Sequence, residues 1–188
     1  MGRSARGGFA ANVGSGVGTD VGFCGGTRVG WGGGAIVGAG VGASVGTGVA
    51  TPLRTVTCAD DTLEASADLA RRLDVGVHIH VAEDRLDTAA PSRLQWLARD
   101  EWLLVHCVHL DRPLPGTIAH NSRSNMNNAV GYAHPATRPN PIVLGTDGIG
   151  ADMLEELRLT YVRLREDDVT ATPDPVWSWL EQGYQLVP

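Results

Sequence analysis

Val77-His78-Ile79-His80-Val81-Ala82-Glu83-Asp84 sets two histidines at alternate positions of an apolar run that stops at a carboxylate. In a β-strand residues two apart share a face, so His78 and His80 point the same way, and Glu83 falls just past the strand end. Imidazoles and a carboxylate meeting there suit the binding of a divalent metal, or the passing of a proton beside one. A second apolar run, Leu103-Leu104-Val105-His106-Cys107-Val108-His109, ends in histidines, and a third, Ile142-Val143-Leu144-Gly145-Thr146-Asp147, ends in an aspartate. A parallel α/β barrel builds a metal site in this way, from side chains at the C-terminal tips of successive strands.

Each residue also has a plainer reading. A histidine in an apolar strand is more often a satisfied core residue than a ligand. Strand-end carboxylates such as Asp147, or Asp152 further on, often cap the following helix. His109 and His134 stand in loop-like context and carry no signal beyond it. The weight lies in the combination of His80, Glu83, His106, His120 and Asp147, all at or just past strand C-termini.

The elements that must position these groups are legible from about residue 60. Asp61 with Glu64 resembles a capping box, and Leu63, Ala67, Ala70 and Leu73 form a helical stripe up to about Arg72. Asp74-Val75-Gly76 turns the chain into a strand over 77–82. A short helix near 92–99, a strand over 102–107 and a short strand over 117–120 follow. Residues 121–139 have little periodicity and many turn formers and read as a loop. A strand over 142–146 leads to the clearest helix, 151–165, with Met153, Leu154, Leu157, Tyr161 and Leu164 on one side. The tail, with Trp177 and Trp179, reads as a last short helix. Apolar strands alternating with helices imply parallel βαβ units and an α/β fold.

The chain has 188 residues and a formal net charge of -6, which argues against general nucleic-acid binding. No apolar run is long enough to span a bilayer, and the basic start is followed by glycine-rich sequence instead of a signal-peptide core, so no membrane is expected as a partner. The three cysteines, Cys24, Cys58 and Cys107, are scattered with no CxxC, and the expected compartment is the cytoplasm.

Residues 1–54 hold 18 of the 25 glycines. Glycine at this density makes helix and strand entropically expensive, so the segment is expected to be low in complexity and poorly ordered. Within it, Gly38, Gly40 and Ala43 after Ala35-Ile36-Val37 fit a G-x-G-x-x-A dinucleotide pattern. That motif needs a helix directly after the glycines, and Ser44-Val45-Gly46-Thr47-Gly48-Val49-Ala50-Thr51-Pro52 will not hold one.

The motifs His-Ile-His-Val-Ala-Glu, Val-His-Cys-Val-His-Leu-Asp, Ala-His-Asn-Ser-Arg-Ser-Asn-Met-Asn-Asn-Ala-Val-Gly and Leu-Gly-Thr-Asp-Gly-Ile-Gly-Ala-Asp-Met, in this order, resemble the amidohydrolase superfamily. The resemblance runs from about Thr57 to Thr172 and is strongest to the branch of chlorohydrolases, guanine and adenosine-type deaminases, and SsnA-like aminohydrolases. It implies the rear part of a (β/α)8 TIM-type barrel, roughly strands 5 to 8, over residues 55–188. It implies a metal-dependent hydrolase of carbon–nitrogen non-peptide bonds, deaminase-like, working through metal-activated water. The metal would be zinc, or in some members iron, and the substrate a small amino-substituted ring or amidine-type compound.

By the same resemblance His80 matches the metal-ligand histidine of the fifth strand. Glu83 matches the glutamate that passes protons to the leaving nitrogen. His106 matches the sixth-strand histidine that binds the metal or polarises substrate and water. Asp147 matches the eighth-strand aspartate that touches the metal and takes the proton of its water. His120 and Asn125 match the seventh-strand motif near the substrate. The family's first-strand His-x-His pair has no counterpart, since the first histidine of the chain is His78. Ser122 replaces the usual proline. With all 15 basic residues arginine, residues 1–54 read as a disordered or misread GC-rich stretch joined to a truncated barrel. The expectations are a weakly held metal, weak or no activity in isolation, and self-association through open barrel edges. The alternative is a non-catalytic remnant that folds or assembles only with a partner.

Overall fold

The computed structural model describes residues 49–150 and 152–186. The glycine-rich segment up to residue 48, with its dinucleotide-like pattern, lies outside the described residues. The remaining residues of the 1–54 stretch, Val49–Arg54, form strand β1.

Strands β1 (Val49–Arg54), β2 (Gly76–Val81), β3 (Leu103–His106), β4 (Thr117–His120) and β5 (Ile142–Leu144) make one sheet in sequence order, every neighbouring pair parallel. A doubly wound sheet reverses its strand order partway. Unbroken sequential order is the winding of a (β/α)8 barrel, and the fold is an α/β segment of that type. Helices α1 (Asp60–Leu73), α2 (Ala90–Leu94), α3 (Ser122–Asn127), α4 (Met153–Asp167) and α5 (Asp174–Gln185) join and follow the strands.

The register sorts the two faces. Ile79, Leu104, Ile118 and Ile142 form one row across the sheet, and they belong to the main core with Leu63, Ala67 and Ala70 of α1, Leu157 and Leu164 of α4, and Val176 and Leu180 of α5. The adjacent row, His80, Val105, Ala119 and Val143, faces the other way, where Leu103, Val105, Ala119 and Val143 form a second, smaller cluster. His78 shares that face, as alternation requires.

Several local expectations are corrected. The capping box does not form: α1 starts from Ala59 with no side-chain cap, and Asp61 Oδ1 accepts from the neighbouring Thr62 N–H instead. The short helix expected near 92–99 lies earlier, at α2, with Pro91 in its first turn, a position where the missing N–H costs nothing. Leu154, expected on the inner stripe of α4, is half exposed, and buried Glu156 and Thr160 stand there with Leu157 and Leu164. Asp152 does cap α4, accepting from Leu154 N and Glu155 N at 3.0 and 3.1 Å. The stretch expected as a loop after Asn121 opens with α3. Among the described residues no helix is long and apolar enough to cross a membrane.

Candidate active site

The site is built where β2, β3 and β5 end. His80 is the penultimate residue of β2 on the inner face, buried beside His78 with ring centroids 6.0 Å apart. His106 closes β3. Strict alternation would send it to the face of Leu104, into the helix-side core. The backbone leaves the extended region there instead, with φ of 70° at His106 and 52° at Cys107, and the ring stands 5.1 Å from that of His80. Asp147, just past β5, is also left-handed, with φ of 53°. Non-glycine residues rarely adopt this region, and such outliers concentrate at functional sites.

One ligating atom each from His80, His106 and Asp147 lies within 4.8 Å of the others. Among the described residues neither ring nitrogen of His80 nor Nε2 of His106, all buried, has a hydrogen-bond partner, an arrangement that costs free energy unless something else satisfies them. Nδ1 of His106 faces Asn125 Oδ1 at 2.8 Å. An amide oxygen only accepts, so Nδ1 carries the proton and Nε2 presents its lone pair to the cluster when the ring is neutral. Nε2 lies 3.6 Å from Glu83 Oε2 and 3.7 Å from Asp147 Oδ2.

The electrostatics suit a cation. Burial first, then repulsion from His106, Arg54 and His78, lowers the pKa of His80 to about 3, so the ring is neutral at physiological pH, the form that ligates. Burial and His106 likewise lower His78 to about 4. Burial opposes the ionisation of Asp147, but the hydrogen bond from Ser124 and the nearby His106 and His80 outweigh it and hold the carboxyl below its ordinary value. Neutral His80, His106 with Nε2 turned toward the cluster, and the carboxylate of Asp147 are a donor set for a divalent metal, three protein ligands with room for water.

Glu83 is mostly buried and reaches Arg54 Nη1 at 3.2 Å and Asn128 Nδ2 at 3.4 Å. The structure thus brings together His80, Glu83, His106, Asn125 and Asp147. It does not bring His120 to them. His120 shares the row of Leu144 on the helix-side face; its Nε2 bonds Ser122 Oγ at 2.8 Å, and Ser122 Oγ meets Thr160 Oγ1 of α4 at 2.7 Å. Two groups outside the expected site residues, Asp87 and Ser124, also hold the site. Asp87, buried, accepts from the backbone N–H of Ala82 and from the Thr55 hydroxyl, fixing the turn that carries Glu83. Ser124 donates to Asp147 Oδ2 at 2.5 Å. An acidic residue six positions past the end of β2 was the available signal for Asp87; Ser124 offered none.

A singly wound parallel sheet with two histidines and an aspartate gathered at its strand tips defines a barrel-type protein with a candidate metal centre. The chain belongs to the amidohydrolase family, whose family model matches residues 40–176. The match begins inside the glycine-rich segment. The chain is 34% identical over 134 residues to a 5-methylthioadenosine/S-adenosylhomocysteine deaminase of Syntrophomonas wolfei subsp. wolfei, covering 57% of this chain and 31% of that protein. It is 28% identical over 151 residues to a 5'-deoxyadenosine deaminase of Methanothermobacter thermautotrophicus, covering 65% and 35%. The fold resembles the crystal structure of an adenosine deaminase from Xanthomonas campestris with bound zinc, with a TM-score of 0.53 and 24% identity over 64% of this chain and 34% of that one. The chain spans about a third of the length of the curated relatives it matches.

Proposed function

We propose that the site serves metal-dependent hydrolysis of a carbon–nitrogen bond, of the deaminase type, on a small amino-substituted ring. The observation that carries this is the convergence of His80, His106 and Asp147 around one cation-sized spot, with Glu83 at its margin. Zinc is the favoured ion and iron the second choice, held by His80, His106 and Asp147. A divalent ion there supplies water acidified toward neutrality.

The chain's own groups supply the rest. Asp147, kept ionised, takes the proton of the attacking water. Glu83, 3.6 Å from His106 Nε2, delivers a proton to the departing amine. His106, between the two carboxylates, is placed to hold the ion through Nε2, and that ion would steady charge on the tetrahedral carbon's oxygen. Asn125, which meets His106 Nδ1, is the group proposed to border the substrate, whereas His120, on the helix-side face, would act on it only through its neighbours. Adenosine-type nucleosides that still carry their ring amino group are the favoured substrate class, because the curated relatives are named for 5-methylthioadenosine, S-adenosylhomocysteine and 5'-deoxyadenosine.

The first-strand histidine pair that the resemblance implies has no counterpart in this chain, so the isolated chain is expected to bind zinc weakly and to turn over slowly or not at all. Among the described residues β1 and β5 each leave one edge unpaired, and self-association through these edges is the expected assembly. The test is purified chain with zinc quantified and ammonia release followed on the three nucleosides. Zinc retained below stoichiometry with slow, zinc-dependent release is the expected result. Tight stoichiometric zinc with fast turnover would refute the weak-binding part. A folded chain that takes up no divalent ion would refute the whole and favour a non-catalytic remnant.

A further inference from the structure

We propose that α3 orients the acid–base groups of the site, with Ser124 holding Asp147, Asn125 holding His106 and Asn128 holding Glu83. The inference rests on the functional roles proposed for those three groups. Ser124 Oγ donates to Asp147 Oδ2 at 2.5 Å, and His106 Nδ1 donates to Asn125 Oδ1 at 2.8 Å. Asn128, the residue that ends the helix, donates from Nδ2 to Glu83 Oε1 at 3.4 Å and to Ser124 Oγ at 3.4 Å. Residues four apart on a helix share a face, so Ser124 and Asn128 stand together, with Asn125 beside them. Ser124 and Asn125 are 0% and 2% exposed, so both tethers are sheltered from water.

Each tether has a chemical effect. An acceptor on Nδ1 fixes the tautomer of His106 and directs Nε2 at Glu83 and Asp147. A hydroxyl donated to Oδ2 of Asp147 favours the carboxylate, as does the backbone hydrogen bond from Gly148. Of the three tethered residues, the two most closely held, His106 and Asp147, have backbones in the left-handed region. The helix is anchored in turn on α4: Ser122 Oγ lies 2.7 Å from Thr160 Oγ1, and Arg123 Nε donates to the buried carboxylate of Glu156 at 2.8 Å. The placement of α3 on α4 therefore sets the aim of side chains at the tips of three strands.

These are positioning residues, and the test reads orientation separately from turnover. The full chain is labelled with 15N-histidine and with 13C-aspartate, and cobalt(II) is used as the metal probe. Wild type is expected to show His106 with the proton on Nδ1. Asn125→Leu, similar in shape but without the acceptor, should scramble that tautomer, and Asn125→Asp should keep it. Ser124→Ala should shift the Asp147 carboxyl carbon, and Ser124→Thr should restore it. Cobalt affinity should fall roughly 10- to 100-fold in Asn125→Leu and Ser124→Ala, and recover in the conservative variants. If cobalt binding is too weak to measure, the tautomer and the carboxyl shift decide alone. If Asn125→Leu does not fold, Ser124→Ala decides. A His106 proton on Nε2 in wild type, or a folded Ser124→Ala with unchanged carboxyl shift and cobalt affinity, would overturn the inference. Absence of ammonia release with the tautomer intact would instead count against the proposed function and leave the positioning role standing.

Discussion

Asp87 Oδ2 accepts the backbone N–H of Ala82 at 2.8 Å, across the turn that carries Glu83 away from β2. Ala82 is fully buried and left-handed, with φ of 47°, so its N–H has no route to water. The Thr55 hydroxyl donates to the same oxygen, and Thr55 also bonds the carbonyl of His80. Asp87→Ala leaves the Ala82 donor unsatisfied, while the Thr55 hydroxyl keeps His80 O as a partner. The expected loss is about 2 kcal/mol, the penalty of a stranded buried donor, and Asp87→Asn, which keeps an acceptor, should lose about half as much. Urea midpoints of the two variants and wild type give the comparison. Equal midpoints for Ala and wild type would show that the turn does not depend on this carboxylate.

Gly145 precedes the Thr146-Asp147 turn, and a Cβ built on it would lie 2.2 Å from Asn121 Oδ1. Asn121 is 2% exposed and cannot swing into solvent, so the backbone must move. Gly145→Ala is therefore expected to destabilise by about 1–3 kcal/mol, the usual cost of overpacking. It should also weaken metal retention, because the displaced segment carries Asp147. Gly148→Ala is the control, since nothing lies within 4 Å of a Cβ there. The prediction fails if both variants behave alike in denaturation and zinc retention.

The strand tips were legible because alternation and apolar runs report burial directly. His78 and His80 stand on one face, as their spacing requires, and β4 has the expected limits Thr117–His120. Two elements were not legible, for different physical reasons. β1 contains Pro52, which cannot donate to a ladder and is normally confined to edges or irregularities. Among the described residues β1 is an edge strand, and its register with β2 shifts between Ala50 and Leu53, on either side of that proline. α3 reads Ser-Arg-Ser-Asn-Met-Asn, with low helix propensity and no apolar stripe. It is helical because tertiary partners, Thr160, Glu156, Asp147 and His106, meet its polar side chains. His120 shows a third limit. Its position at a strand tip suggested a place in the site, but the register puts it on the helix-side face, and one residue of parity decides that.

The buried histidines make stability fall with acidity. Burial, with help from His106 and Arg163, lowers His120 to about 3, against about 6.5 in the unfolded chain. The unfolded state then binds a proton that the native state does not. The contribution of His120 is fully present above pH 6.5 and declines as pH falls toward 3, by about 2 kcal/mol at pH 5. His78 and His80 are lowered in the same direction in the metal-free chain. Urea midpoints measured from pH 7.5 to 5 should drop steeply. His120→Gln should flatten the slope, whatever it does to the midpoint at pH 7.5. A slope unchanged by that substitution would mean that His120 is protonated in the native state or titrates normally.

Zinc should stabilise the chain through the three donors, and that stabilisation separates binding from chemistry. An ion that binds only the native state at 100 times its dissociation constant adds about 2.7 kcal/mol. At the concentration that achieves this for wild type, His80→Ala and Asp147→Ala should lose most of the gain, since each removes one of the three donors lying within 4.8 Å of one another. A chelator should reverse the effect in wild type and change little in the two variants. Glu83→Gln is the informative contrast. Glu83 lies outside the donor group, so the zinc-dependent rise in the urea midpoint should persist, while any ammonia release should fall at least 100-fold for want of a group to carry the proton. Zinc stabilising His80→Ala as strongly as wild type would place the ion elsewhere. Loss of zinc stabilisation in Glu83→Gln would make that carboxylate a ligand in place of a proton carrier.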